Sequence, residues 1–255
     1  MLQTRVIPVL LLKGKGLVKT VQFKNETYIG DPINAVKIFN DKEVDELVFL
    51  DIMASKNGSE PNMALLQQIC TECFMPIAYG GGIKSMDTAK ALFKIGIEKL
   101  VVNSLLFDNP ALVTEMCRFA GSSCVVASID VKKNMWGKYQ VFSHSGKEVV
   151  AKDPVAFAKD AENMGVGEIM INAVDNDGMM NGYAIDLIQK VSSSVAVPVI
   201  ACGGAAGIDD FKKAVKQGGA SAVAAGSMFV FYGKHKAVLI NYPDRTVLEK
   251  ELTNE

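Results

Sequence analysis

Several carboxylates, glycines and one lysine in this chain stand where they could act on an anionic ligand. Asp51, Asp130 and Asp177 each follow an apolar run of strand type. A carboxylate in such a place can serve as general acid or base, because partial burial moves its pKa towards neutrality. Gly80-Gly81-Gly82 and Gly203-Gly204 follow two other runs, and Asn103-Ser104, Asp177-Gly178 and Gly226-Ser227 follow three more. Glycine lets a backbone approach a phosphate closely, and bare N–H groups then bind the anion. One glycine after a strand is usually only a turn. Two similar sets on one face instead suit a ligand with a phosphate at each end. Lys19, in the loop after the first run, is placed to close over an anionic substrate, although a lone lysine is more often a solvated charge. Asp51, Asp177 and Asp130 each have a plainer alternative as helix caps or loop acceptors.

The elements that must position these residues are legible as alternating strands and helices. Apolar runs begin near Arg5, Glu46, Phe74, Lys99, Cys124, Glu168, Val197 and Ser221. Between them lie helical patterns whose starts are marked by capping residues. Asp31-Pro32, Ser59-Glu60-Pro61, Asp108-Asn109-Pro110 and Asp153-Pro154 each set a polar side chain before a first-turn proline, and Ser85 opens another. Strands apolar on both faces imply a parallel sheet covered by helices. Eight such units in 255 residues favour one (β/α)8 TIM barrel over residues 1–255, with an open doubly wound sheet as the alternative. Adding 122 to first-half positions brings Asp31-Pro32 onto Asp153-Pro154, Glu46 onto Glu168, Pro76 onto Pro198 and Gly81-Gly82 onto Gly203-Gly204. The barrel therefore reads as two fourfold half-barrels. Arg5, Glu46, Lys99 and Glu168 stand at strand starts, on the opposite end from the glycines. They read either as a solvated rim or as a ring of ion pairs.

Composition excludes other classes. Lys and Arg number 27 against 28 Asp and Glu, a net charge of −1, so no basic excess points to nucleic acid or an anionic membrane. The apolar run Val6–Leu12 is far short of a membrane span and too short for a secretory signal. Five cysteines, an odd number, fit a cytoplasmic, reducing compartment. Cys70 and Cys73 form a CxxC without a second pair, so they read as buried apolar residues, and neither a metal nor a cofactor is expected. His144 and His235 read as surface residues.

With these residues in view, the chain resembles the HisF-type cyclase subunit of imidazole glycerol phosphate synthase over essentially its whole length. The likeness is carried by Arg5-Val6-Ile7-Pro8, Val18-Lys19, Gly30-Asp31-Pro32, Asp45–Ile52, Gly80-Gly81-Gly82-Ile83, Asp130, Asp177-Gly178, Gly182-Tyr183 and Gly203-Gly204. The resemblance implies a HisH-type glutaminase docked at the barrel's N-terminal face. Ammonia released there passes through the barrel to a phosphorylated ligand at the other end. It also implies that Arg5, Glu46, Lys99 and Glu168 form a salt-bridged ammonia gate.

One departure matters most. The family's cyclases carry an aspartate at the end of the first strand, paired with the fifth-strand aspartate as acid and base. Here the second is Asp130, but the first is Leu11, which cannot transfer a proton. Losing a positioned acid–base group typically costs about 10²–10⁴-fold in rate. Cys202 also replaces the family's serine after the seventh strand. This mixture is similar to a divergent branch associated with amidination of surface-polysaccharide sugars such as O-antigen. There a HisF-like barrel and a HisH-like glutaminase supply ammonia to a separate ATP-dependent amidotransferase. The alternatives are a working cyclase, in which Asp130 shares proton transfers with Asp177 or Asp51, and an isomerase of the sister HisA type. Leu11 counts against the isomerase too.

Overall fold

The computed structural model describes residues 4–143 and 152–252. His144 lies outside them, and His235 is exposed. Eight parallel strands form the barrel: β1 (Arg5–Lys13), β2 (Leu47–Asp51), β3 (Ile77–Gly80), β4 (Lys99–Val102), β5 (Val125–Lys133), β6 (Glu168–Ala173), β7 (Val199–Cys202) and β8 (Ala222–Ala225). Each pairs with the next, and β8 closes on β1 through Arg5 opposite Ala222 and Pro8 opposite Ala225. One main helix follows each strand: α1 (Pro32–Asp41), α2 (Met63–Glu72), α3 (Met86–Lys94), α4 (Pro110–Ala120), α5 (Pro154–Asn163), α6 (Ile185–Ser192), α7 (Ile208–Lys216) and α8 (Arg245–Leu252). The fold is a closed (β/α)8 TIM barrel.

Local chemistry accounts for these boundaries. Asp31 accepts from the amides of Ile33 and Asn34 ahead of Pro32, and Asp153 accepts from Ala156 N ahead of Pro154. The same cap thus opens α1 and α5, at equivalent places in the two halves. Ser85 caps α3 and Asn109 caps α4. The cap of α2 is Asn62 rather than Ser59, and β3 begins at Ile77 rather than near Phe74. Asn40 holds that connection open: its carboxamide accepts from Phe74 N and donates to Glu72 O.

Side-chain alternation along the strands makes two cores. Val6, Leu10, Leu47, Phe49, Tyr79 and Leu100 point outward and pack under the helices, with Phe39, Ile69, Leu92 and Met116. Ile7, Val9, Leu11, Val48, Val101, Val126, Met170 and Ile200 fill the barrel interior with Ala78, Ala222 and Ala224. Among the described residues, no helix is long and apolar enough to cross a membrane.

The segment after β1, expected as a loop, is a folded hairpin. Strands Gly16–Val21 and Lys24–Gly30 pair antiparallel, and the first continues the sheet through Leu11 opposite Val18. Gln22 and Phe23 form the two-residue turn with φ of 52° and 62°, the left-handed geometry that suits a twisted hairpin. A second short strand, Tyr139–Val141, pairs with the end of β5.

Candidate functional site

The two ends of the barrel carry different polar constructions. At the N-terminal end, which we call the floor, the charges continue the inward alternation of the strands. Arg5 precedes Ile7 on β1, Glu46 precedes Val48, Lys99 precedes Val101 on β4, and Glu168 precedes Met170 on β6. The four close into a ring of alternating sign. Arg5 Nη1 lies 2.6 Å from Glu46 Oε2, and Arg5 Nη2 pairs with Glu168 Oε1. Lys99 Nζ lies 2.8 Å from Glu46 and 3.1 Å from Glu168. Burial alone would lower the Arg5 pKa, but Glu168 and Glu46 outweigh it and hold the guanidinium charged. Each charge has two opposite partners, which is the condition under which buried ions are tolerated. The sequence left open a solvated rim or a ring of ion pairs; the charges form the ring.

At the C-terminal end, the roof, a cavity of about 210 Å³ opens among the loops that follow the strands. Gly81, Gly82, Asn103 and Ser104 line it from the first half, and Gly203, Gly204, Gly226 and Ser227 from the second. The glycine pairs adopt φ of 121° and 69° in one half and 87° and 116° in the other, so backbone there takes a form that side chains resist. Asp51, Asp130, Asp177, Gly178 and Lys19 share the same cavity.

Their environments separate the three aspartates. Asp130, on the inner face of β5, is only 8% exposed. It accepts from Asn172 Nδ2 at 3.0 Å and Asn103 Nδ2 at 3.1 Å. Burial pushes its pKa up to about 7, aided by the charge of Asp177 and opposed by the two carboxamides. A carboxyl held there can give or take a proton near neutral pH. Asp51 uses one oxygen to accept from the amides of Met53 and Ala54, at the turn that precedes the short helix Ala54–Asn57. Asp177 faces Lys19 at 3.9 Å. Cys202 lines the cavity too, but burial pushes its thiol up to about 12, so it stays neutral.

Residues 5–236 match the family profile described as histidine biosynthesis protein. A Pseudomonas aeruginosa protein, named provisionally as imidazole glycerol phosphate synthase subunit hisF2, is 49% identical over 249 residues, covering 98% of this chain and 99% of that one. A Leptospira borgpetersenii protein with a provisional HisF subunit name is 49% identical over 247 residues, 96% and 97% of the two chains. The Hyphomonas neptunium HisF subunit, named without that reservation, is 40% identical over 231 residues, 91% of each. The chain belongs to the HisF-type family of imidazole glycerol phosphate synthase subunits.

Lys19 needs correction in this HisF-type barrel. It is not in a loop: it lies within the strand Gly16–Val21 and is 5% exposed. The hairpin is fastened over the site because Gln22 N donates to Asp177 O at 2.9 Å and Gln22 Nε2 to Asp175 O at 2.8 Å. Asn172 was missed by sequence reasoning. Its signal was available, as the one carboxamide within the apolar run of β6, four residues after Glu168 and on the same inward face. Strand pairing sets it opposite Asp130. Leu11 is 8% exposed and belongs to the inner apolar cluster while also lining the cavity.

Proposed function

We propose that this HisF-type barrel accepts ammonia from a HisH-type glutaminase docked on its floor and conducts it to the roof cavity. The ammonia then serves acetamidino-sugar formation by a separate ATP-dependent amidotransferase, in cytoplasmic steps of surface-polysaccharide biosynthesis. The observation that carries this reading is Leu11. It places an apolar wall in the cavity where the family's cyclases need a second carboxylate, and so leaves Asp130 without an acid–base partner from β1. The conduit half of the reading is supported by the closed ring of Arg5, Glu46, Lys99 and Glu168 below an interior of valine, alanine and isoleucine. Small apolar side chains offer neutral ammonia a path that excludes ammonium and water.

In this reading Gly81, Gly82, Asn103 and Ser104 hold one phosphate of a phosphorylated ligand. Gly178, Gly203, Gly204, Gly226 and Ser227 hold the other. Asp130, Asp177, Asp51 and Lys19 form the polar wall between them. The direct test replaces Lys99 or Glu168 by alanine in the assembled complex. Glutamine-dependent amidination falls while ammonium-dependent amidination stays; equal loss with both nitrogen sources removes the gate assignment.

A second reading, a working cyclase of histidine biosynthesis, draws on the neutral-range pKa of Asp130 and the nearness of Asp177. Rescue of a histidine auxotroph lacking its own cyclase supports it, and failure of rescue supports the amidination reading.

A further inference from the structure

We propose that Met135 and Trp136, at the tip of the hairpin that extends β5, form with their flanking lysines the seat on which the ammonia-consuming amidotransferase docks over the roof. The inference rests on the reading that ammonia leaves the roof for a second enzyme, and adds where that enzyme sits. In water near neutral pH ammonia becomes ammonium, which has no lone pair for attack, so the receiving enzyme must close over the exit. The hairpin rises from that exit. β5 runs three residues past Asp130, to Lys133, and Phe142 N on the returning chain donates to Asp130 O at 2.7 Å. At about 3.3 Å per residue, the tip stands about 10 Å above Asp130. Phe23, which lines the cavity, packs on Phe142 with ring centroids 6.5 Å apart, so the base of the hairpin is part of the cavity mouth.

The tip is fixed by its own hydrogen bonds. Asn134 Oδ1 accepts from Trp136 N and Lys138 N, both at 3.0 Å, and Asn134 N donates to Lys138 O at 2.9 Å. Gly137 supplies the left-handed residue that the turn needs, with φ of 74°. What this turn holds out is apolar: Met135 is 93% exposed, and Trp136, the chain's only tryptophan, is 80% exposed. A turn satisfied by asparagine and glycine has no need of either side chain. Tryptophan and methionine presented on fixed backbone are the residue types that anchor interface centres, and pre-organisation lowers the entropy lost on docking.

Charge defines the partner's surface. Lys132, Lys133 and Lys138 flank the tip, and residues 131–143 contain no Asp or Glu. Lys132 Nζ lies 5.8 Å from the Phe142 ring centroid and Lys133 Nζ 4.8 Å from that of Tyr139, so aromatic faces hold both cations in place. The carboxylates that face the hairpin from neighbouring elements are engaged: Asp175 accepts from Lys133 N, and Asp186 from Tyr139 Oη. The complementary surface is a protein pocket with an apolar lining and a rim of carboxylates. An anionic membrane fits less well, because stable anchoring takes two signals and a net charge of −1 adds none to this tip.

The test uses the full chain grown with 5-fluorotryptophan, whose single fluorine resonance reports Trp136 alone. The purified sugar amidotransferase shifts that resonance, whereas the purified glutaminase and phosphatidylglycerol vesicles leave it in place. By calorimetry, Trp136→Ala weakens binding of the amidotransferase about ten- to a hundredfold, as truncation of an anchor residue does, and Trp136→Phe keeps most of it. Lys133→Glu combined with Lys138→Glu weakens it most at low salt. All these positions are exposed, so the variants fold, which an unchanged thermal midpoint verifies. Unchanged affinity in Trp136→Ala overturns the seat and leaves the delivery reading standing. A resonance moved by the glutaminase, or by vesicles and not by the amidotransferase, overturns it too. If the wild-type chain does not bind the amidotransferase, with or without the glutaminase, the delivery reading itself fails and takes this inference with it.

Discussion

The floor and the roof of this barrel both bring buried charges together, but they complete them differently. On the floor, Arg5, Glu46, Lys99 and Glu168 satisfy one another within a closed ring. On the roof, Lys19 meets Asp177 at 3.9 Å, and Asp130 rests on carboxamides rather than a cation. A self-satisfied set needs no ligand to complete it. An incompletely satisfied set has unmet electrostatic demand, which a ligand can fulfil.

The largest effect is expected at the floor. Glu46→Ala leaves Arg5 and Lys99 sharing one carboxylate and is expected to cost about 3–5 kcal/mol, the range for removing one partner of a buried pair. Urea unfolding checks it, and a loss below about 1 kcal/mol would make the ring a surface feature. At the roof, Leu11→Asp is expected to retain the fold at reduced stability. It removes a buried apolar side chain and adds a carboxylate, at a cost of about 2–4 kcal/mol. Thermal unfolding with recovery of soluble protein measures this, and loss of folded protein would contradict it.

The next effect is a pH dependence. Because burial raises the Asp130 pKa to about 7, the folded chain keeps a proton there that the unfolded chain releases near pH 4. The contribution is fully present below about pH 4 and is lost as pH rises to about 7. Asp130→Asn should flatten that slope, so its stability relative to wild type improves between pH 5 and pH 8. An unchanged slope would show that Asp130 is not held protonated. The smallest effect compares the halves: Asp31→Ala and Asp153→Ala should each cost about 1 kcal/mol, as equivalent lost helix caps. A large difference between them would mean that the repeat does not extend to these helix starts.

Much of this was legible in the sequence because the determining signals are local. Alternating apolar runs, capping residues before prolines and the 122-residue repeat define the barrel. The charges at strand starts allowed either a solvated rim or a ring on the floor, and the choice depended on the inward alternation that only strand register fixes. The hairpin over the roof was not legible. Its turn, Gln22-Phe23, lacks glycine and asparagine, and its left-handed geometry is sustained by long-range hydrogen bonds from Gln22 to Asp175 and Asp177. Its outer strand opens with Lys24-Asn25-Glu26-Thr27, polar and exposed, and so carries no apolar period there. Burial of Lys19 depends on that hairpin and on the space at Gly226, contacts more than two hundred residues apart in sequence. Asn172 was readable in principle, yet one carboxamide in an apolar run gains meaning only when Asp130 is known to face it.

Turnover of the histidine-pathway bisphosphate by the purified chain with free ammonium bypasses any glutaminase and reads the acid–base groups of the roof alone. With Leu11 in place of an acid–base group, this chain should turn over at least about a hundredfold more slowly than a family cyclase that has both aspartates. Cyclase-like rates from the unaltered chain would show that Asp130 works without a carboxylate at position 11.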